Sequence, residues 1–289
     1  VTAKGGEAAS SSPGSLIVTF AGLYLREAAN WIAVADLVAL LGIAGQAETA
    51  VRQALVRLKS RQFLQSQTRH GRAGYALTDT GLNDLLIGDA RIFRFGEAPE
   101  SSGWVLAVFS VPEQARSERH RLRSHLSWMG FGTVSAGVWI APATLAAAAQ
   151  SLIESDGLAG YVTWFTGHSI GAAEVSAWWD LGALRLLYDE FLQRWQPVAR
   201  PVVHTPKNGA SAFADYLQLV DSWRQFPRID PGLPAALLPA NWQGRTAFDT
   251  FTQLRSRWAT TGHSFVMERL QPQKWPNGLA LAAVSATTQ

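Results

Sequence analysis

From Thr49 to Arg72 the chain carries six Lys/Arg and no acid, and its hydrophobic period changes part-way along. Through AETAVRQALVRLKSRQF the apolar residues recur at helical spacing. Setting Val51 at zero on a wheel of about 100° per residue places Ala54, Leu55 and Leu58 on one face. Thr49, Gln53, Val56 and Ser60 fall opposite, and Arg52 and Arg57 flank that outer face. From Phe63 the period drops to two. Phe63 to Arg69 and Tyr75 to Thr78 read as strands, joined by the glycine-bracketed tip His70-Gly71-Arg72-Ala73-Gly74. A helix that must bury one face, followed at once by a cationic ribbon, admits few arrangements: the ribbon folds back beside the helix and both present charge to one side.

The preceding residues supply the partners for that helix. Ser15 to Leu25 has helical spacing, Trp31-Ile32 is a short extended piece, and Val34 to Leu41 reads as a second helix. Gly42 is expected to stop it as the C′ residue, with Ile43 returning to the core and the third helix starting near Gln46. Thr78-Asp79 is expected to cap a further helix to about Phe93. The expectation is a winged helix that reads DNA: Thr49, Arg52 and Gln53 face bases, while Arg57, Arg69 and Arg72 hold phosphates. A merely solvated basic face is the plainer alternative. It does not explain why cations gather on both the helix flank and the ribbon.

At 289 residues the chain is too long for a lone DNA-binding module and suits two or three units. A content of 47% hydrophobic and 16% charged residues describes a folded chain. The net charge of +3 and pI near 9.4 permit a polyanionic partner, but the local block carries the argument. There are no cysteines, which excludes disulfides, thiolate zinc sites and cysteine nucleophiles and fits a reducing cytoplasm. The six histidines lack metal spacing, so neither metal nor cofactor is expected. Leu16 to Leu25 is too short to span a bilayer, and no membrane or export signal is read.

Three units are expected: a winged helix over 15–95, a ferredoxin-like unit over 103–170 and a helical unit over 174–270. Val1 to Gly14 and the stretch from Pro276 read as tails, and Ala98 to Gly103 as a linker. In the middle unit, strand-like Trp104 to Val111 precedes a helix rich in arginine that ends at Gly130. A strand pair, the helix Leu145 to Ser155 and the strand Tyr161 to Thr166 follow. That order, β-α-β(β)-α-β, is the ferredoxin-like plan. The last unit offers helices over Val175 to Trp195, Phe213 to Gln225 and Thr246 to Thr260, with a proline-punctuated connector between the last two. The fold class is therefore α+β and multidomain.

Two enzymatic readings compete. Gly167-His168-Ser169-Ile170-Gly171 matches the G-x-S-x-G elbow of serine hydrolases, and Asp230 with His263 keeps a triad order. The helices that follow are not the parallel strands such an enzyme needs, and no oxyanion segment precedes the motif. The middle unit also resembles the Cas2 ribonuclease-like fold, whose first strand ends in a metal-binding aspartate. Here Ser110 stands in that place, so the metal site is not built. The expectation is no enzyme, with a serine esterase using Ser169 as the alternative. An interaction scaffold with a vestigial winged helix is a third reading, and it predicts no sequence-selective DNA retention. Most of the twelve tryptophans, Trp178, Trp179, Trp195, Trp223 and Trp258 among them, fall in amphipathic helical patterns and are read as core.

Several stretches in order resemble the PaaX-type transcriptional regulators. They are AETAVRQALVRLKSRQFL with a wing ending in YALTDTG, FSVPEQARSERHRLRSHLSWMGFG with GVWIAP, AWWDLGALRLLYDEFLQRW, and DPGLPAALLPANWQGRTAFDTF. The resemblance covers Ser15 to about Leu270. It implies a homodimeric repressor of an aromatic-acid catabolic operon that binds an inverted-repeat operator in double-stranded DNA. It also implies release by an acyl-CoA effector, typically phenylacetyl-CoA. Arg224 and Arg228, beside Asp230-Pro231, are candidates to meet the effector's phosphates, against the simpler reading of helix-end capping and salt bridges.

Overall fold

The computed structural model describes residues 11–93, 103–169, 175–200 and 208–270. Helix α1 (Pro13–Phe20) starts where Ser12 Oγ accepts the Ser15 amide at 3.2 Å and Pro13 fills the first turn. The tail expected to reach Gly14 therefore ends earlier, because Ser12-Pro13 is a helix start. A π-helical turn, Ala21–Leu25, continues α1. Then come β1 (Ile32–Ala33), α2 (Val34–Ile43), α3 (Glu48–Ser60), β2 (Leu64–Arg69), β3 (Arg72–Leu77) and α4 (Asp79–Phe93). Thr78 Oγ1 accepts the Gly81 amide at 3.0 Å and so caps α4 as expected.

The stop of α2 differs from the expectation. Gly42 and Ile43 remain helical, and Gly45, at φ 84°, takes the left-handed position. Its amide reaches the Gly42 carbonyl at 3.0 Å, and the Gln46 amide reaches that of Leu41 at 2.9 Å, the two bonds of a Schellman stop. Two more residues of helix turn Ile43 outward, 37% exposed, and Ala44 takes the inward place.

The middle segment runs β4 (Trp104–Phe109), α5 (Arg116–Trp128), β5 (Gly132–Ser135), β6 (Val138–Pro142), α6 (Ala146–Ser155) and β7 (Val162–Gly167). The sheet order is β5-β6-β4-β7, all antiparallel, as the ferredoxin-like plan requires. Period-two alternation gives it two apolar faces. Val105, Ala107, Trp139 and Ala141 meet Leu122 and Leu126 of α5 and Ile153 of α6. Trp104 and Ile140 on the other face meet Val175, Trp179 and Leu233. The expected linker, Ala98 to Gly103, lies outside the described residues except for Gly103, as does the tail from Pro276.

Five helices follow: α7 (Val175–Trp178), α8 (Leu181–Ala199), α9 (Gly209–Trp223), α10 (Phe226–Ile229) and α11 (Gly244–Leu270). A continuous helix from Val175 to Trp195 does not form. Asp180 Oδ1 accepts the Ala183 amide at 2.9 Å and starts α8 afresh, while Trp179, between the two helices, donates Nε1–H to the Gly130 carbonyl at 2.9 Å. The tryptophans read as core are buried there, at 0% exposure for Trp223 and Trp258, except Trp178, which is half-buried.

One core joins the two ends of the chain. Leu16, Phe20 and Tyr24 of the first helix, with Val51 and Leu55 of α3, share a cluster with Phe213, Trp223, Phe251 and Trp258. Its polar seam is Asp221, 8% exposed, which accepts from Ser15 Oγ and Thr19 Oγ1, both at 2.7 Å. Arg224 donates to the same carboxylate oxygen at 3.2 Å and to Ser15 Oγ at 2.8 Å. Asp221→Ala is expected to lower stability by roughly 1–3 kcal/mol, since a buried donor loses its acceptor. Urea denaturation checks this, with Asp221→Asn, which keeps an acceptor, losing less.

Candidate nucleic-acid interface

Helix α3 divides as its spacing predicts. Val51, Ala54, Leu55 and Leu58 lie at 0–8% exposure against α1 and α2, while Thr49, Arg52, Gln53, Val56, Arg57 and Ser60 are exposed. Val56, at 64%, is an apolar side chain in the midst of that polar face. Arg52 Nη2 meets Glu48 Oε1 at 2.8 Å across one turn, with both side chains more than half exposed. Such an i,i+4 pair is worth only about 0.3–0.5 kcal/mol, so a phosphate or a guanine edge displaces it easily. No ion pair holds Arg57 among the described residues.

The hairpin beside α3 is tighter than expected. Its turn is only His70-Gly71, at φ 52° and 73°, the two-residue left-handed turn whose twist suits paired strands. Arg72, Ala73 and Gly74 belong to β3 rather than to a five-residue tip, and Arg69 and Arg72 face each other as the last cross-strand pair. Arg69 donates to the Ala29 carbonyl at 2.9 Å and lies 5.8 Å above the Trp31 ring. Arg72 pairs with Asp36 of α2 at 2.6 Å, an exposed bridge whose hydrogen bond raises the arginine's pKa further. These partners aim the two guanidiniums without burying them. A sequence pattern does not reveal Trp31 or Asp36 in this role, because both lie about forty residues away along the chain.

Gly74 fixes how β1 joins this hairpin. A Cβ there would stand 2.4 Å from the Ile32 carbonyl oxygen and 2.5 Å from the Trp31 ring. The close approach of β1 to β3 therefore needs glycine.

The residues of the alternative triad are held apart in their roles. Ser169 is exposed just after β7, while Asp230 is buried in another cluster, where it accepts the Tyr188 hydroxyl at 2.6 Å. Burial, with the charge of Asp230 beside it, pushes the Tyr188 hydroxyl far above an ordinary phenol, so it stays a donor. His263 Nε2 meets Glu27 at 2.7 Å. The histidine thus serves to join α11 to the end of the first helix. Ser110 is exposed after β4, and no group of three metal-binding side chains stands together among the described residues. Arg224 is committed to Asp221 and Ser15, as helix-end pairing would have it. Arg228 stands in α10, and its side chain lies outside the described residues.

Three descriptions of one family match in chain order: "PaaX-like protein" over residues 12–81, "PaaX protein central Cas2-like domain" over 97–178 and "PaaX-like protein C-terminal domain" over 179–268. This chain belongs to the PaaX family. The PaaX resemblance extends to a curated relative, the transcriptional repressor PaaX of Escherichia coli (strain K12). The two are 29% identical over 268 residues, covering 88% of this chain and 83% of that protein. A solved structure of an uncharacterized protein from Mycobacterium tuberculosis superposes with a TM-score of 0.55 at 23% identity, over 89% of this chain and all of the other. That likeness shows the fold alone. The central Cas2-like match fits the β5-β6-β4-β7 sheet and its two covering helices. Among the described residues no helix is long and apolar enough to cross a membrane.

Proposed function

We propose that this PaaX-family chain is a DNA-binding transcriptional repressor rather than an enzyme. Residues 15–95 act as a winged helix, 103–170 as a ferredoxin-like unit and 174–270 as a helical unit. The observation that carries this reading is α3, which buries one face and leaves Thr49, Arg52 and Gln53 exposed beside the cationic hairpin. Helix α3 enters the major groove, where Arg52 and Gln53 suit purine edges and Thr49 either edge. Arg57, Arg69 and Arg72 hold phosphates on the flanks. The relative named as a transcriptional repressor supports the same reading.

The working unit is a homodimer on an inverted-repeat operator, and its effector is an acyl-CoA, phenylacetyl-CoA or a close relative. The family resemblance supports both. The effector acts by binding the DNA-incompetent state more tightly, and its reach equals that difference in affinity. Selecting genomic fragments bound by the full chain, with and without phenylacetyl-CoA, tests operator and effector together. Recovery of no preferred sequence would sink the repressor reading.

The hairpin has its own test. Arg72→Ala is expected to weaken binding to operator and unrelated DNA alike and to flatten the salt slope by about one unit, since one phosphate contact is lost. Gel shifts over a salt series measure it, and an unchanged slope removes the hairpin from the interface.

A further inference from the structure

A cleft of about 1450 Å³ opens where α1, the C-terminal end of α3, α5 and the α9–α10 corner meet. This exceeds the roughly 300–1,000 Å³ of pockets for drug-sized ligands, so an extended molecule fits. Its charge is one-sided. Arg57 enters from α3, Arg61 from the residue that ends it and Arg123 from α5, and none has a carboxylate partner among the described residues. Asp84 also lines the cleft and has contacts of its own, while Arg224 and His125 there are taken by Asp221 and Asp156. Three guanidiniums without counterions, converging from two elements, are suited to an anion of several charges.

Aromatic rings stand beside Arg123. Trp128 and Trp139 line the cleft, and the Arg123 guanidinium lies 6.0 Å above the Trp139 ring. Trp139 is only 5% exposed, yet its indole N–H has no acceptor among the described residues.

We infer that this cleft is the effector site, and that it takes a phosphate-bearing polyanion with an apolar tail, held partly by arginines of the DNA-reading helix itself. The inference rests on the repressor reading and adds its mechanism. Arg57 serves both surfaces: on α3 it flanks the reading face, and from the same helix it lines the cleft. A ligand in the cleft draws that charge away from the DNA phosphates and restrains the C-terminal end of α3. The coupling is reciprocal, so operator DNA weakens ligand binding by the same factor.

Calorimetry of the full chain with phenylacetyl-CoA, paired with operator gel shifts, tests this. Arg123→Ala lies in α5, outside α3 and the hairpin, and is expected to bind operator as the parent does. Its affinity for phenylacetyl-CoA should fall about tenfold or more, as losing a charge-assisted contact implies, and operator release should need correspondingly more ligand. Arg61→Ala should lower ligand affinity similarly, which tests the contribution of α3. Unchanged ligand affinity in Arg123→Ala would overturn the cleft and leave the effector reading intact. A loss in Arg123→Ala with none in Arg61→Ala would overturn the shared helix. Absence of heat with the parent chain would overturn both cleft and effector, while operator retention in the same preparation would preserve the DNA reading.

Discussion

Phe213→Ala is expected to lower the stability of the N-terminal helices and of the C-terminal helices together, by about 3–5 kcal/mol. Phe213 is fully buried in α9, with its ring 6.3 Å from Phe20, 5.8 Å from Tyr24 and 6.0 Å from Phe265. Removing the ring opens a cavity in a core that both ends of the chain build. Neighbouring backbone cannot collapse into it readily, because α1 is also tied to α9 through Asp221. Hydrogen exchange under mild denaturant gives the check: amides of α3 and α9 should lose protection by the same free energy. Protection of α3 unchanged while α9 loosens would mean that the two ends fold independently. Ile43→Ala, at an exposed site, is the control and should shift stability by under about 0.5 kcal/mol.

The second large effect concerns sequence choice. Arg52→Ala with Gln53→Ala should lower the preference for operator over unrelated DNA on the order of 100-fold, since each base-edge contact discriminates by about 1–3 kcal/mol. Both side chains are exposed, and the stabilising contact given up among the described residues is the surface pair of Arg52 with Glu48. The melting temperature should therefore hold while specificity collapses. Competition binding with operator and scrambled duplexes separates the two quantities. A double variant that keeps the parent's preference would show that α3 does not face the bases.

Much of the fold was legible along the chain. Val51, Ala54, Leu55 and Leu58 turned out buried because a helix repeats every 3.6 residues and the stripe was unbroken. The β-α-β(β)-α-β order was readable for the same reason in strands, and the sheet has the expected order. Errors arose where several local signals competed. Gly42 and Gly45 both qualify as a stop, and the choice fell to whichever placed Leu40, Leu41 and Ala44 inward together. Trp179 leaves the helical pattern of Val175 to Trp195 because its ring packs over Trp104 and its N–H finds the Gly130 carbonyl. The hairpin tip looks longer in the sequence than it is, since glycines on both sides of Arg72 mask the two-residue turn.

The candidate site divides along the same line. Thr49, Arg52, Gln53 and Arg57 could be assigned to one face from spacing alone, because a helix settles the geometry of residues three and four apart. Asp36 under Arg72, Trp31 under Arg69, and Arg123 in one cleft with Arg61 could not. Local periodicity determined which side of each element is apolar and which is charged. Only the tertiary structure decided which sides meet: Ser15 with Asp221, Phe20 with Phe213, and α3 with both open solvent and the cleft. The physical reason is that burial is non-directional and rewards any apolar partner. The choice among partners some two hundred residues away is made by shape and by the few buried hydrogen bonds that must be satisfied at once.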